Sequence, residues 1–195
     1  MLEISLAKAL AATLPPVPPM PQTAGAVVAV VGSGDHIMAT AQALASEIGA
    51  PPGEVAIAVR NNGAAHVRRD RGATTVISSA QDASEQRRGW RWRGRPSVVA
   101  IETDGRPSGD PWAASVLKAL EPTVCWGVVE AFCKPEDVAA WSEALGGLDV
   151  LSVVDLDATT TPAAVLATRL PVGLVDGEPA TPEFWASSLC ARLPR

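Results

Sequence analysis

The sequence predicts a three-layer α/β domain, in which a mostly parallel sheet lies between two layers of helices. Two observations indicate this fold class. Short apolar runs, typical of strands buried on both faces, recur along the chain. Between these runs lie segments with the apolar spacing of amphipathic helices, and strands that alternate with helices form right-handed βαβ units. The 195 residues are enough for one such domain with a core of its own.

The N-terminal residues are predicted to precede this domain. Leucines recur near one face of a predicted helix over residues 2–14. The proline-rich stretch 15–21 then ends the helix and forms a stiff connector. We therefore divide the chain into an N-terminal helix and connector over 1–21 and an α/β domain over 22–195.

The predicted elements of the domain follow in order. The first strand is the apolar run 26–31, and the first helix, over 36–49, ends at Gly49. Asp110 and Pro111 supply the N-cap and first residue of a helix. The other predicted strands are 54–59, 73–78, 97–102, 123–130, 148–155 and 171–175. The other predicted helices are 63–71, 80–88, 111–120, 134–147, 160–169 and 181–193.

Composition narrows the functional classes. Cys125, Cys133 and Cys190 have no metal-ligand spacing and indicate reduced, partly buried thiols in a cytoplasmic protein. The chain has only two histidines, so we expect no histidine-rich metal site. No apolar run reaches the roughly 20 residues that span a bilayer. The N-terminus lacks a basic leader, and we expect neither a signal peptide nor a membrane span.

Charge is distributed unevenly. Residues 60–95 contain nine arginines and three acids, a local balance of +6. Because the whole chain carries −5, the remainder carries −11. Such an asymmetry bears on binding partners rather than on the fold.

A glycine turn follows the first strand, at the sheet edge where ligands of this fold class bind. Gly32-Ser33-Gly34-Asp35 exposes backbone amides at a helix N-terminus, which favours an anion. The carboxylate of Asp35 opposes a phosphate there, and no lysine lies between Gly32 and Gly49. Two interpretations stay open: a tight turn capped by Asp35, or a phosphate loop without its charged residues.

Four short motifs after predicted strands resemble those of one family. They are Glu-Thr-Asp-Gly-Arg at 102–106, Val-Asp-Leu-Asp-Ala-Thr at 154–159, Val-Asp-Gly-Glu at 175–178 and Pro-Glu-Phe at 182–184. In this order, over about 21–193, the chain resembles the signal-recognition-particle-type (SRP/FtsY/FlhF-like) GTPases. The resemblance implies a P-loop NTPase fold. It assigns a vestigial nucleotide site to Gly32, Ser33, Gly34, Thr103, Gly105, Asp157, Gly177 and Glu178.

The departures from the family fall on its chemistry. Residues 37–39 replace the phosphate-loop lysine and the threonines after it, and 58–64 retain only a Gly-Ala from the segment that supplies a catalytic aspartate and arginine. Asp155 replaces the lysine that packs on the base, whereas Asp157, which pairs with the guanine edge, is retained. The resemblance therefore implies a protein without GTPase activity or a bound cofactor, although weak nucleotide binding stays open.

A nucleotide or dinucleotide site is the alternative. Gly32-x-Gly34 begins the fingerprint of NAD- and NADP-binding domains, but Ile37 occupies the third glycine position. Arg60, at the end of the second strand, would face the 2′-phosphate of NADP.

An arginine-tryptophan segment, 87–95, is predicted between a helix and a strand. Its candidate partner-binding residues are Arg87, Arg88, Trp90, Arg91, Trp92 and Arg93. It is interpreted either as a surface for an acidic partner or for phosphates with stacked bases, or as a solvated loop whose tryptophans fold back onto the core, with Asp82 and Glu85 pairing its arginines. The expected partner is a protein, either a homologous GTPase or a second copy of this chain, rather than nucleic acid.

Overall fold

The computed structural model describes residues 2–50, 54–60 and 75–192. Eight strands form one sheet in these residues. They are β1 (Val27–Gly32), β2 (Ala56–Ala58), β3 (Thr75–Ile77), β4 (Ser97–Glu102), β5 (Val124–Glu130), β6 (Val150–Val154), β7 (Val172–Val175) and β8 (Glu178–Pro179). The strand order is β3-β2-β4-β1-β5-β6-β7-β8, and every pair is parallel except β7 with β8. The predicted mostly parallel sheet is confirmed.

Helices cover both faces of the sheet. They are α1 (Leu2–Thr13), α2 (His36–Glu47), α3 (Ala80–Arg93), α4 (Pro111–Leu120), α5 (Pro135–Leu145) and α6 (Pro182–Cys190). Side chains cap three of them: Ser79, Asp110 and Thr181 accept hydrogen bonds from first-turn amides of α3, α4 and α6. No helix in the described residues is both long and apolar enough to cross a membrane.

Two cores lie on opposite faces of the sheet. Ile37, Met38 and Leu44 of α2 pack on one face. The other core includes residues of α3, α4, α5 and α6, among them Trp141 and Trp185. Because all six residues of β1 are buried, this strand faces both cores, as its apolar run predicts.

Two predicted elements lie wholly or partly outside the described residues, and a third differs from the structure. The predicted helix 63–71 lies outside the described residues, as does the start of the predicted strand 73–78. The predicted α-helix over 160–169 is instead a 3₁₀-helix, Pro162–Thr168. Its β-branched Val165 and Thr168 favour an α-helix weakly, and the Thr168 hydroxyl donates to the Val165 carbonyl at 2.8 Å.

Strand β8 was absent from the predicted elements. It pairs with β7 through the two-residue turn Asp176-Gly177, in which both residues have positive φ, 48° and 85°. Asp-Gly is the preferred sequence for such a turn between antiparallel strands. The hairpin ends the parallel series of strands and leads the chain into α6.

Candidate functional site

The glycine turn after β1, which begins at Gly32, packs against side chains of the hydrophobic core. A Cβ on Gly32 would lie 2.8 Å from Ile37 Cγ2 and 3.0 Å from Val128 Cβ, so glycine is required there by apolar neighbours. Ile37 and Met38, at positions where the resemblance expects the phosphate-loop charge, are both buried. Gly34 adopts a φ of +69°, which favours glycine and turns the chain into α2.

The N-terminus of α2 carries a carboxylate. Asp35 occupies the N-cap position, but with helical dihedral angles (φ −82°, ψ −19°). Its side chain accepts no hydrogen bond from the first amides of α2, all of which lie in the described residues. The interpretation that the Asp35 side chain caps this turn is therefore wrong, because a capping side chain needs an extended backbone at that position.

The loop after β4 lies beside this turn. The Thr103 amide donates to the Gly32 carbonyl at 2.8 Å, and the Gly105 amide donates to Thr103 Oγ1 at 3.1 Å. A Cβ on Gly105 would lie 4.0 Å from Ser33 Oγ. The structure thus brings together Gly32, Ser33, Thr103 and Gly105, as the resemblance implies. The cleft that Ser33 and Gly105 border has a volume of only about 40 Å³, far below the roughly 300 Å³ of ordinary ligand pockets.

Cys133 lines the same small cleft. Burial, followed by the nearby carboxylate of Glu130, raises the pKa of the Cys133 thiol to about 11. The thiol therefore stays protonated at neutral pH and is a poor nucleophile. Burial likewise raises the pKa of Cys125 to about 12. Cys125 and Cys133 are thus structural thiols, and no group of metal-ligating side chains exists in the described residues.

The loop after β6 is held by the chain itself. Arg192 donates to the Leu156 carbonyl at 3.0 Å, to the Thr159 carbonyl at 2.7 Å and to Asp157 Oδ1 at 2.8 Å. The carboxylate that the resemblance assigns to guanine is thus bound by an arginine from just beyond α6. The sequence does not predict this contact, because 35 residues separate the two partners.

Asp176 holds the same loop from its other side. Its Oδ1 accepts from the Asp155 amide at 2.7 Å, and its Oδ2 accepts from the Leu156 amide at 3.2 Å. Gly177 lies in the turn of the hairpin and Glu178 begins β8. β8 is four strands away from β1 in the sheet, so Gly177 and Glu178 lie apart from the glycine turn.

Replacing Asp176 by asparagine is expected to loosen the β6 loop. Asparagine tolerates the positive φ of this position, but its amide group accepts at one atom only and carries no charge. We expect the amide of Asp155 or of Leu156 to exchange with deuterium at least about tenfold faster, measured by NMR. Glu178→Gln is the control and is expected to leave both amides unchanged. Equal protection in Asp176→Asn and the wild type would contradict this role.

His36, the first residue of α2, lies near the loop after β6. Its Nε2 is 3.9 Å from Asp155 Oδ2, and both side chains are about half exposed. Exposed contacts of this kind contribute little to stability.

Arg60 is engaged within the chain. Its guanidinium pairs with Asp110, which is 4% exposed and caps α4, and lies 5.8 Å from the centre of the Trp112 ring. Arg60, which is expected to face a 2′-phosphate in the dinucleotide alternative, therefore already has a carboxylate partner within the chain.

The arginine-tryptophan segment is helical. The predicted helix 80–88 continues to Arg93, and Gly94 ends it with a φ of 68°. The expectation of a loop is wrong, because arginine and tryptophan are compatible with a helix and the stop is Gly94. Asp82 accepts from Ser78, and Glu85 accepts from Gln81, so neither pairs with the segment's arginines.

The two tryptophans of this segment have opposite environments. Trp90 is 5% exposed and belongs to the core, whereas Trp92 is 93% exposed. Arg87 pairs with Glu121 at 2.5 Å. The remaining outward residues form what we call the α3 basic surface: Arg88, Arg91, Trp92, Arg93 and Arg95. This surface lies at the amino edge of the parallel strands, opposite the glycine turn, because α3 runs back from the carboxyl end of β3 to the start of β4.

Comparison with known proteins bears on the fold. No protein-family model and no curated protein matches the chain. Among solved structures, the chloroplast FtsY of Physcomitrella patens is 16% identical, with a TM-score of 0.67 over 98% of this chain and 73% of that one. FlhF complexed with GMPPNP and Mg²⁺ is 16% identical, with a TM-score of 0.66 over 95% of this chain and 82% of that one.

A third solved structure extends the similarity. The signal recognition particle 54 kDa protein of Aeropyrum pernix K1, in complex with GDP, is 19% identical, with a TM-score of 0.60 over 97% of this chain and 54% of that one. The resemblance seen in the short motifs is thus confirmed at the level of the fold. This chain has the fold of the signal-recognition-particle-type GTPase domains.

Proposed function

We propose that this chain is a catalytically inactive, cytoplasmic member of the signal-recognition-particle-type GTPase-like proteins that acts as a protein-binding scaffold or regulator. Its contact with a partner is the α3 basic surface. The observation that carries the proposal is Trp92, a tryptophan 93% exposed among arginines on a helix.

Inactivity is supported by the side chains that replace the catalytic ones. Phosphoryl transfer depends on positioning and on charge supplied by lysine, magnesium and arginine. Ile37 and Met38 are core residues, and the Thr40 hydroxyl is buried against Ser152 at 3.3 Å, so it does not face a magnesium site. Arg60 has Asp110 as its partner.

The net charge at the carboxyl edge of the strands also opposes the binding of a nucleotide. Among the described residues, the segments that follow the carboxyl ends of the parallel strands carry more carboxylates than cationic side chains. The carboxylates include Asp35, Asp82, Glu102, Asp104, Asp110, Glu130, Asp137, Asp155, Asp157 and Asp176, and the cations include Arg60, Arg106, Lys134 and Arg192. A triphosphate would meet net negative charge here, which lowers both its affinity and its rate of association.

Protein binding is supported by the exposure and charge of the α3 basic surface. Large exposed tryptophans flanked by arginines are the residue types that dominate protein interfaces energetically. Arg91, Arg93 and Arg95 form no ion pair with any described residue, so their charge is available to a partner. The partner is therefore acidic at the contact, and a homologous GTPase or a second copy of this chain are the candidates.

The nucleotide test is the sharpest test of inactivity. We expect GTP, ATP and NADP each to bind more weakly than about 1 mM in titration calorimetry, because the glycine turn offers amides but no cation. We also expect phosphate release from GTP at the rate of a protein-free blank. Micromolar binding of GTP, or turnover that disappears in Gly34→Val, would overturn the proposal. Micromolar binding of NADP would favour the dinucleotide alternative.

The partner test separates a binding surface from a structural one. Trp92→Ala is expected to abolish co-purification with the partner, or self-association in sedimentation velocity, while leaving the melting temperature unchanged. Arg91→Gln with Arg93→Gln is expected to weaken the same association and reduce its dependence on salt. Arg169→Gln, an exposed arginine away from α3, is the matched control. Equal association in all variants would remove the α3 basic surface from the proposal.

A further inference from the structure

We propose that a cleft beside the α3 basic surface receives one carboxylate side chain from an acidic segment of the protein partner. This inference rests on the proposed protein-binding function and names the chemistry that the contact recognises. The cleft, which we call the amino-edge cleft, has a volume of about 230 Å³ and is lined by Glu54, Thr75, Trp90, Arg93, Arg95 and Ser97, among others.

The charge of the amino-edge cleft selects for a single negative charge. Among the described lining residues, Arg93 and Arg95 contribute two positive charges and Glu54 one negative charge, a net balance of +1. Neither arginine forms an ion pair with Glu54 or with any other residue in the described part of the chain. One carboxylate neutralises this balance, whereas a phosphate dianion would exceed it and would repel Glu54 more strongly than a carboxylate does.

The donors of the cleft match a carboxylate. Guanidinium groups bind carboxylates through charge-assisted hydrogen bonds, often in pairs. The hydroxyl groups of Thr75 and Ser97 lie in the same lining. Neither hydroxyl hydrogen-bonds another described residue, so both are available as donors. Trp90 supplies an apolar wall for the aliphatic part of a glutamate side chain.

The backbone around the arginines is held in place. Gly94 ends α3 in the left-handed conformation, so Arg93 and Arg95 flank the turn. The Gly25 amide donates to the Arg95 carbonyl at 3.3 Å, and the Ser97 amide donates to the Ala26 carbonyl at 2.9 Å. These bonds tie the turn to the start of β1. A fixed backbone reduces the ordering cost that the two arginines incur on binding.

Trp92 provides a second part of the proposed contact with the partner, beside the cleft. It adjoins Arg93 in sequence and is the largest exposed apolar side chain of α3. Trp92 itself lies outside the lining of the cleft, so the partner segment has to extend beyond the cleft to place an apolar side chain on Trp92. The recognised chemistry is an acidic segment with an apolar residue, and free phosphate, nucleic acid and the acidic edge of a second copy are outcomes of the test.

The test titrates the 195-residue chain with a capped pentapeptide of four glutamates around one leucine. The readout is the indole N–H resonances of Trp90 and Trp92 in NMR spectra. We expect both resonances to shift, and a lysine-for-glutamate version of the peptide to shift neither. The double variant Arg93→Gln with Arg95→Gln is expected to weaken peptide binding at least about tenfold. A tenfold change in affinity corresponds to the loss of roughly one charge-assisted hydrogen bond. Lys134→Gln with Arg169→Gln removes the same charge elsewhere and is expected to change binding less than about twofold.

Glu54→Gln provides a second, independent variant. It raises the cleft balance to +2, and we expect it to tighten peptide binding and to give inorganic phosphate a measurable effect on Trp90. Phosphate or a single-stranded oligonucleotide that shifts Trp90 in the wild type more than the peptide does would overturn the carboxylate assignment. So would self-association at NMR concentrations that the peptide fails to displace.

The failure of this inference and the failure of the proposed function give different results. If the peptide shifts Trp92 alone, and Arg93→Gln with Arg95→Gln leaves its affinity unchanged, the α3 basic surface binds acidic segments but the cleft does not. If the peptide shifts neither tryptophan and Trp92→Ala leaves partner association intact, both fail. Circular dichroism of each variant checks that the exposed substitutions leave the fold unchanged.

Discussion

The Trp90→Ala variant is expected to unfold about 10 °C below the wild-type protein. Trp90 is 5% exposed and packs in the larger core, so its removal leaves a cavity. Large-to-small substitutions of buried tryptophan cost roughly 3–5 kcal/mol of the free energy of unfolding. In a domain of this size each kilocalorie lowers the melting temperature by roughly 2–4 °C. Thermal denaturation followed by circular dichroism measures the change.

Trp92→Ala is the matched control, since it makes the same substitution two positions along the same helix. Its side chain is 93% exposed, and we expect the melting temperature to change by less than about 2 °C. A similar loss of stability in both variants would show that Trp92 is packed as Trp90 is. No loss in either would show that the end of α3 makes no stabilising contact with the sheet.

Gly173→Ala is expected to destabilise the protein by about 1–3 kcal/mol, because it overpacks the core that contains α2. A Cβ at this position of β7 would lie 2.3 Å from Trp126 Cη2 and 2.6 Å from Trp126 Cζ3. Val150 Cγ1 lies 3.0 Å away and limits the movement of the added methyl group. Trp126 is itself buried, so the indole ring has little room to shift. Urea denaturation gives the free energy of unfolding.

Gly89→Ala is the control for Gly173→Ala and has the opposite expected sign. Gly89 lies inside α3, and the nearest atom to an added Cβ is Arg93 Nη2 at 3.9 Å, an ordinary contact. Alanine favours a helix over glycine by roughly 1 kcal/mol, so this variant should be more stable. A second variant, Trp126→Phe, should relieve part of the cost of Gly173→Ala in a double-mutant cycle. If the free-energy costs of Gly173→Ala and Trp126→Phe are additive, the clash with Trp126 is not the source of the strain.

The sheet could be predicted from the sequence because burial on both faces leaves a direct pattern. Runs such as 26–31 and 97–102 are apolar without alternation, and both became central strands. The end of α3 could not be predicted as readily. The predicted helix ended at residue 88, just before Gly89, yet a single glycine inside a helix is tolerated when the rest of the turn packs, and Trp90 packs.

The candidate site was predicted in part. Neighbouring loops such as those of Ser33 and Gly105 met because the order of parallel strands brings their carboxyl ends together. The dipeptide Asp176-Gly177 is a local sequence signal for a hairpin turn. It was not interpreted as a turn, because the same residues belong to a motif that resembles one of the family's. The contacts of Arg60 and Arg192 were unpredictable, since each joins an arginine to an acid far along the chain and no local pattern encodes the pairing.

The contact of Arg192 with Asp157 would make Arg192 a tethered competitor of the guanine base that the resemblance assigns to the loop after β6. A guanidinium presents N–H donors to a carboxylate, as the edge of a guanine base does, and Arg192 already presents them to Asp157. A group tethered in the same chain acts at an effective concentration on the order of millimolar, whatever the amount of nucleotide in solution. A guanine base would have to outcompete this internal donor before gaining any affinity from Asp157. If Asp157 faces a guanine base, as the resemblance implies, a lysine engineered into the glycine turn would supply a phosphate contact while Arg192 still occupied Asp157, and guanine specificity would first require replacement of Arg192.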